Sequence, residues 1–404
     1  VKSLLISSTY FPPQVGGISF FMANLVSALG AERVCCVTDI PAADRFKSHE
    51  FEPQVYRRPM AFSRNCALQV LGLSTTMAEI MLRERPRVVQ LATVAEGYLG
   101  LLLKRWLMLP FVVYAHGNEI LAAMTGEWEK PRLALRQADR VLANSRFTKE
   151  MVERIGVDAN KIDVVHPGCE TKLFQPVEVN PDFSRKRFGL RKSAHMILTV
   201  GNLVERKGHD MVIRALPEVQ KVIPDVTYLV VGDGRYRSNL EQLAVAMGVR
   251  DCVVFARQIP DKDLPEIYSL CDVFAMPARE RLDECDVEGF GLVYLEANAC
   301  GKPVIGGRSG GIPDAIVDGL TGLLVDPHDS NEIANALIQL LQDRELSTKM
   351  GYEGRKRVVR DFTWERIARQ VQGILDSVVR ESVASRRWFA FQAPKPSEVP
   401  FEEK

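Results

Sequence analysis

Two carboxylates eight residues apart mark the most informative stretch of the chain, Asp286-Val287-Glu288-Gly289-Phe290-Gly291-Leu292-Val293-Tyr294-Leu295-Glu296-Ala297. Gly289 and Gly291 shape a turn whose backbone N–H groups can meet an anion, and a helix opening near Gly291 adds the field of its N-terminus. Phe290 and Leu292 share that turn. The helix carries Glu296 one to two turns in, pointing back toward the same cleft as Glu288. Carboxylates so placed can do different work. Glu296 can accept hydrogen bonds from a vicinal diol, while Glu288 can meet hydroxyls and the cationic character of a carbon losing its leaving group. The apolar flanks Tyr294-Leu295 and Ala297 to Cys300 bury Glu296 enough that it needs a partner. The nearby acids Asp283, Glu284 and Asp286 lack a clear isolated Asp-x-Asp pair and read as a solvated loop, so no metal is expected.

Matching cations stand in Gly201-Asn202-Leu203-Val204-Glu205-Arg206-Lys207-Gly208. Arg206 and Lys207 at a strand-to-helix turn suit a diphosphate leaving group, whose developing charge they stabilise. The ordinary alternative is a solvated pair on a loop. Gly232-Asp233-Gly234-Arg235 lacks the third glycine of a dinucleotide fingerprint and is either a phosphate-proximal loop or a plain turn. Gly16-Gly17 ends the first strand loop and opens a helix, where backbone N–H groups can approach an anion. His116, in His116-Gly117-Asn118-Glu119, follows a strand directly, as a cleft residue or as a satisfied cap.

The elements that position these residues alternate. Short apolar strands are expected at Ser3–Ser8, Val34–Thr38, Val88–Leu91, Phe111–Ala115, Val141–Ala143 and Val164–Val165. A second set follows at Met196–Val200, Thr227–Val231, Cys252–Phe255, Val273–Met276, Pro303–Gly306 and Gly322–Val325. Wholly apolar strands alternating with helices predict parallel sheets covered on both faces. The fold class is therefore α/β, with two facing Rossmann-like doubly wound domains whose ligand crevices meet in one cleft. The expected boundaries are 1–180, then 194–362 after a charged linker at 179–193, a C-terminal helix within 363–385 packing back on the first domain, and a tail at 386–404.

A formal net charge of +1, from 52 basic and 51 acidic residues, argues against a nucleic-acid partner. The most apolar stretch, Tyr98 to Ala115, is interrupted by Lys104 and Arg105, so no bilayer span is expected. Val1 to Tyr10 reads as strand and loop rather than a signal peptide. Eight scattered cysteines without a C-x-x-C pair read as reduced thiols of a cytoplasmic protein. Between Phe51 and Leu82, Arg57, Arg58 and Arg64 interleave with Met60, Phe62, Leu68, Val70 and Leu71. That mixture suits either an anionic membrane surface or an ordinary surface helix.

Taken together, the Gly16-Gly17 loop, His116-Gly117-x-Glu119, Lys207-Gly208, Glu288-x7-Glu296 and Gly310-Gly311-Ile312-Pro313-Asp314 closely resemble the retaining GT-B glycosyltransferases of family four, over residues 3 to 380. The stretches DVFAMPAR from Asp272 and DVEGFGLVYLEANACGKPVI from Asp286 look like bacterial mannosyltransferases that use GDP-mannose to glycosylate phosphatidylinositol mannosides. The resemblance implies a nucleotide diphosphate sugar as donor and a lipid or glycan as acceptor. It implies that Lys207 holds the diphosphate, Glu296 the ribose and Glu288 the donor sugar. His116 would sit beside the transferred sugar, and Gly16-Gly17 near the phosphates. It implies no cofactor and no metal. Two positions depart from the pattern: Asn202 stands where the family carries an arginine, with Arg206 as the nearby substitute, and Glu170 replaces an aspartate. A sugar-nucleotide epimerase of the same architecture and a non-catalytic nucleotide-sugar binder are the alternative functions.

Overall fold

The computed structural model describes residues 1–14, 16–39, 55–57, 77–124, 129–180, 182, 186 and 195–392. The first half contributes β1 (Ser3–Ser7), β2 (Val34–Thr38), β3 (Val55–Arg57), β4 (Val88–Leu91), β5 (Phe111–Ala115), β6 (Arg140–Ala143) and β7 (Ile162–Val164), in the order β3-β2-β1-β4-β5-β6-β7. The second contributes β8 (His195–Val200), β9 (Val226–Val231), β10 (Val253–Ala256), β11 (Val273–Met276), β12 (Val304–Gly307) and β13 (Gly322–Val325), in the order β10-β9-β8-β11-β12-β13. Every pairing within these sheets is parallel.

Burial on both faces explains the strand composition. Leu4 and Ile6 pack with Val89, Leu91 and Val113 on one side of the first sheet, while Leu5 packs with Phe21, Met22 and Tyr114 on the other. Strand order reverses between β1 and β4 and again between β8 and β11, which opens a crevice beyond the carboxyl ends of each pair. The loops after β1, β4, β5, β8 and β11, at these carboxyl ends, carry most of the residues of interest.

Several elements differ from the sequence expectation. β3 was not anticipated, because three half-buried residues carry no usable period. β10 lies one residue further along than expected, where register with β9 pairs Val253 with Tyr228. The C-terminal helix spans Trp364–Gln392 and continues through 386–392, which the sequence assigned to the tail. Nothing within that stretch breaks a helix before Pro394. Most of the expected linker and residues 393–404 lie outside the described residues, as do Arg58, Arg64 and the apolar residues interleaved with them.

The last helix returns to the first domain. Trp364, Ile367, Val371, Leu375 and Val378 join the core formed by Phe21, Met22 and Leu25. Trp364 meets Phe21 edge-to-face at 5.6 Å between centroids and Phe20 at 6.1 Å. Gly168 lies against the indole, where a Cβ would come within 2.7 Å of the ring. Trp364→Ala should cost about 3–5 kcal/mol through the cavity it leaves. Calorimetry should show a clearly lowered melting temperature for this variant. Trp106→Ala, at a residue 76% exposed, should leave it nearly unchanged.

Candidate active site

The loop after β8 makes one 3-10 turn, Glu205–Lys207, and ends at Gly208 with φ 72°. A side chain at Gly208 would collide with the Pro277 carbonyl, so the chain needs glycine there twice over. This turn aims both cations at the loop before helix Leu292–Ala299. Lys207 Nζ donates to Glu288 Oε2 at 2.6 Å. Arg206 donates from Nε to Asp286 Oδ1 at 2.7 Å and from Nη1 to Glu288. Burial alone would raise the Glu288 carboxyl, but Lys207 and Arg206 hold it down at about 2. Burial also depresses Lys207, against the opposing pull of Glu288.

A second charged layer fixes the turn from behind. The Arg279 backbone N–H donates to the Arg206 carbonyl at 2.8 Å. Its buried guanidinium donates to both Asp210 oxygens, at 3.0 and 3.1 Å, and to Glu205 at 3.3 Å. Arg281 also binds Glu205. A buried arginine with its partners in place is tolerable; with one removed it is strongly destabilising.

Helix Leu292–Ala299 begins at Gly291, where φ is 94° and a Cβ would collide with the Tyr294 ring. Glu296, one turn in and partly shielded, accepts a hydrogen bond from Tyr268 Oη at 2.8 Å. Desolvation nevertheless raises its carboxyl to about 7, because one hydroxyl and distant Lys207 do not replace the lost water.

The opposite wall comes from the first sheet. His116 Nε2 lies 2.9 Å from the Ala92 carbonyl oxygen, which can only accept, so Nε2 is the donor and, in the neutral tautomer, Nδ1 is the acceptor. Phe21 packs against the ring at 5.7 Å and Tyr114 at 6.4 Å. Glu119 accepts from the His116 backbone N–H at 2.5 Å. Buried Glu96 ties the strand-end loops together, accepting from Ser8 N and Oγ at 2.9 and 2.6 Å and from Thr93 N and Oγ1 at 3.0 and 2.7 Å. The walls meet where side chains are missing: a Cβ on Gly289 would strike the His116 carbonyl oxygen, and one on Gly311 would come within 2.8 Å of Ser145 Oγ.

His116, Arg206, Lys207, Glu288, Gly289 and Gly291 thus come together, with Glu296 deeper along the same helix. Gly16 precedes the helix of Phe21, and open space lies beside both Gly16 and Gly17. Leu292 is the first residue of its helix, and Asn202 is exposed at the cleft-side loop. Three assignments change in physical content. The Phe290 side chain is buried against His166 and Phe362, at 5.2 and 6.0 Å, so it anchors the loop from behind. Gly232 and Gly234 are needed for packing, since a Cβ on either would collide with the Gly201–Leu203 backbone. Asp286, read from the sequence as part of a solvated acidic run, is engaged by Arg206, whereas Asp283 and Glu284 do face solvent beside Arg281. The sequence did not single out Tyr268, Asn118, Asp210 or Arg279, whose partners lie far along the chain. Among the described residues, no group of three or more His, Cys, Asp or Glu side chains could hold a metal ion.

Residues 15–173 match the family model described as Glycosyltransferase Family 4, and residues 181–357 match Glycosyl transferases group 1. The GDP-mannose-dependent alpha-(1-6)-phosphatidylinositol monomannoside mannosyltransferase of Mycolicibacterium smegmatis is 34% identical over 373 residues, covering 89% of this chain and 95% of that protein. The chain belongs to the group 1 glycosyltransferases. The GDP-mannose-dependent monoacylated alpha-(1-6)-phosphatidylinositol monomannoside mannosyltransferase of Corynebacterium glutamicum is 30% identical over 382 residues, covering 94% of this chain and 99% of that protein. The solved structure of Anabaena HepE in complex with UDP shares the GT-B fold, with a TM-score of 0.78 at 21% identity over 93% of this chain and all of that one. Sucrose-phosphate synthase from Thermosynechococcus elongatus has a TM-score of 0.76 at 25% identity, over 95% and 99%. This glycosyltransferase is a retaining enzyme, with its cations and carboxylates gathered where loops of its two sheets meet.

Glu296 generates a pH-dependent prediction. Its folded pKa of about 7 exceeds the usual carboxyl value, so the stability it contributes is present below about pH 4.5 and is lost as pH rises through about 7. Relative to Glu296→Gln, the unliganded wild type should lose roughly 1–3 kcal/mol between about pH 5 and 8, the lower end reflecting solvent at the cleft edge. Paired melting curves across that range check this, and a gap that stays constant with pH contradicts it.

Proposed function

We propose that this glycosyltransferase transfers mannose, with retention, from GDP-mannose to a phosphatidylinositol mannoside-type lipid acceptor and needs no metal to do so. The observation that carries the proposal is the pairing of Lys207 and Arg206 with Glu288 at the crevice between β8 and β11. The relatives named above, similar over nearly their whole lengths, support the choice of donor and acceptor.

On this proposal the diphosphate binds between Arg206, Lys207 and the free N–H groups at Gly289–Leu292 and at Gly16-Gly17. Glu296 accepts the ribose hydroxyls, and Glu288 turns to the sugar as the cations take up phosphate. His116 Nδ1 accepts from a sugar hydroxyl. The acceptor oxygen forms its bond to the anomeric carbon on the face from which the carbon–oxygen bond to the β-phosphate breaks. The electron pair leaves with the diphosphate, and the acceptor proton passes to a phosphate oxygen on that same face. Configuration is retained without an enzymic base.

Incubation with radiolabelled GDP-mannose and lipid extract tests the proposal directly. Label should move to lipid, and UDP-sugars should serve poorly. Transfer should survive exhaustive chelation, because Arg206 and Lys207 meet the charge of the diphosphate. Lys207→Ala should lower turnover by about 2–4 kcal/mol in barrier. A requirement for manganese after EDTA, or unchanged kinetics in Lys207→Ala, contradicts the assignment.

The lipid acceptor also calls for peripheral docking on an anionic cytoplasmic membrane face. Arg57, in the mixed basic and apolar stretch, donates to the Pro12 carbonyl at 2.9 Å and is not offered outward. Helix Gly97–Leu107 offers a better surface. Tyr98, Leu102 and Trp106, four residues apart, are 63%, 37% and 76% exposed along one face, with exposed Arg105 beside them. No described helix is long and apolar enough to cross a membrane. Liposome co-sedimentation should require anionic lipid, weaken with salt, and fall in the Tyr98→Ser, Leu102→Ser, Trp106→Ser triple variant. Equal sedimentation with neutral vesicles counts against the charge component, and none with either removes membrane docking.

A further inference from the structure

The side chain of Asn118, the first residue of helix Asn118–Met124, crosses between the domains. Its Nδ2 donates to Asp286 Oδ1 at 3.0 Å, and its Oδ1 accepts from the Val287 backbone N–H at 2.8 Å. One amide thus reads both a side chain and the main chain of the opposing loop, donating from its nitrogen and accepting at its oxygen. The same Asp286 oxygen accepts from Arg206 Nε at 2.7 Å. A continuous chain of bonds therefore runs from the His116 loop through Asn118, Asp286 and Arg206 to Glu288, and Lys207 joins it there.

Another described polar bridge between the domains lies elsewhere. Arg146 binds Asp314 at 2.6 Å beside His166, which packs on Phe290 and Phe362 near the chain crossover, where Cys169 N donates to the Phe362 carbonyl. That cluster stays with the crossover. Asn118 stands at the seam where Gly117 and Gly289 bring bare backbone together, and a Cβ on Gly117 would come within 3.2 Å of Val287. Among the described residues, the side-chain hydrogen bonds that join these two loops are those of this one amide.

We propose that Asn118 is a positioning residue that locks the two domains in register and, through Asp286, sets the direction in which Arg206 presents its charge to the leaving group. The second half of this statement rests on Arg206 and Lys207 serving as the diphosphate cradle. The first half does not.

Asn118→Asp is the incisive variant. It keeps size and the acceptor for Val287 N–H but removes the donor and sets two carboxylates face to face. In the full-length protein, small-angle scattering without ligand should show a more open pair of domains. GDP affinity by calorimetry should change less than about threefold, while kcat falls by about tenfold or more because the groups are misplaced. The exchange Asn118→Asp with Asp286→Asn restores a donor and an acceptor in reversed order. It should recover closure and much of kcat, which a merely destabilised fold would not do. A scattering profile and kcat in Asn118→Asp equal to wild type overturn the proposal, as does a double variant no better than the worse single one. If wild type fails to bind GDP while Asn118→Asp still opens the domains, the donor assignment fails and the interdomain lock stands.

Discussion

A carboxylate held between two cations organises this cleft. Lys207 and Arg206 come from the crevice of the second sheet, and neither can be withdrawn from water without an anion beside it. Glu288 is that anion, and its ionised state, favoured down to about pH 2, keeps the pair neutralised with Asp286 alongside. The neighbouring structure follows from holding these groups in register. Gly208 lets the cation turn pack on Pro277, Arg279 grips the Arg206 carbonyl, and Phe290 is sunk into an aromatic cluster so that Glu288, two residues earlier, cannot drift.

The two carboxylates of the motif differ for a physical reason that their spacing alone does not reveal. Glu288 lies among cations and is driven toward ionisation. Glu296, eight residues on, is left with one tyrosine hydroxyl and is driven the other way. Environments that separate two carboxyl pKa values so widely give them different tasks at one pH. On the proposed function, ribose hydroxyls complete the solvation that Tyr268 begins, so ligand binding favours the charged form of Glu296 that the empty cleft resists.

Much of this was legible in the sequence, though unevenly. The strands were readable because burial on both faces leaves unbroken apolar runs such as Val34–Thr38 and Phe111–Ala115. β3, with three half-buried residues, had no such signature. Lys207, Glu288 and Glu296 stood out as charges among glycines and apolar neighbours. Asn118, Asp286 and Tyr268 did not, because their significance lies in partners 168, 80 and 28 residues away. Gly232 and Gly234 carry a packing requirement that the sequence did not reveal. Glycines near a strand end suggest an anion, yet here the Gly201–Leu203 backbone occupies the space a side chain would need.

The glycines at the domain seam join the fold to the chemistry. Gly117 and Gly289 remove the side chains that would hold the His116 loop away from the Glu288 loop, so the two sheets' loops meet backbone to backbone. Backbone meeting backbone is held by directional bonds, such as those of Asn118 to Asp286 and Val287. On the proposed function such a cleft must open to admit a donor and release a nucleotide. Glu288 acts at both stages: it neutralises Lys207 and Arg206 while the cleft is empty, and on the proposed function the incoming diphosphate takes its place. The carboxylate that stabilises the resting site is then released beside the carbon where positive charge develops, and charge already present in the folded protein becomes available to the reaction.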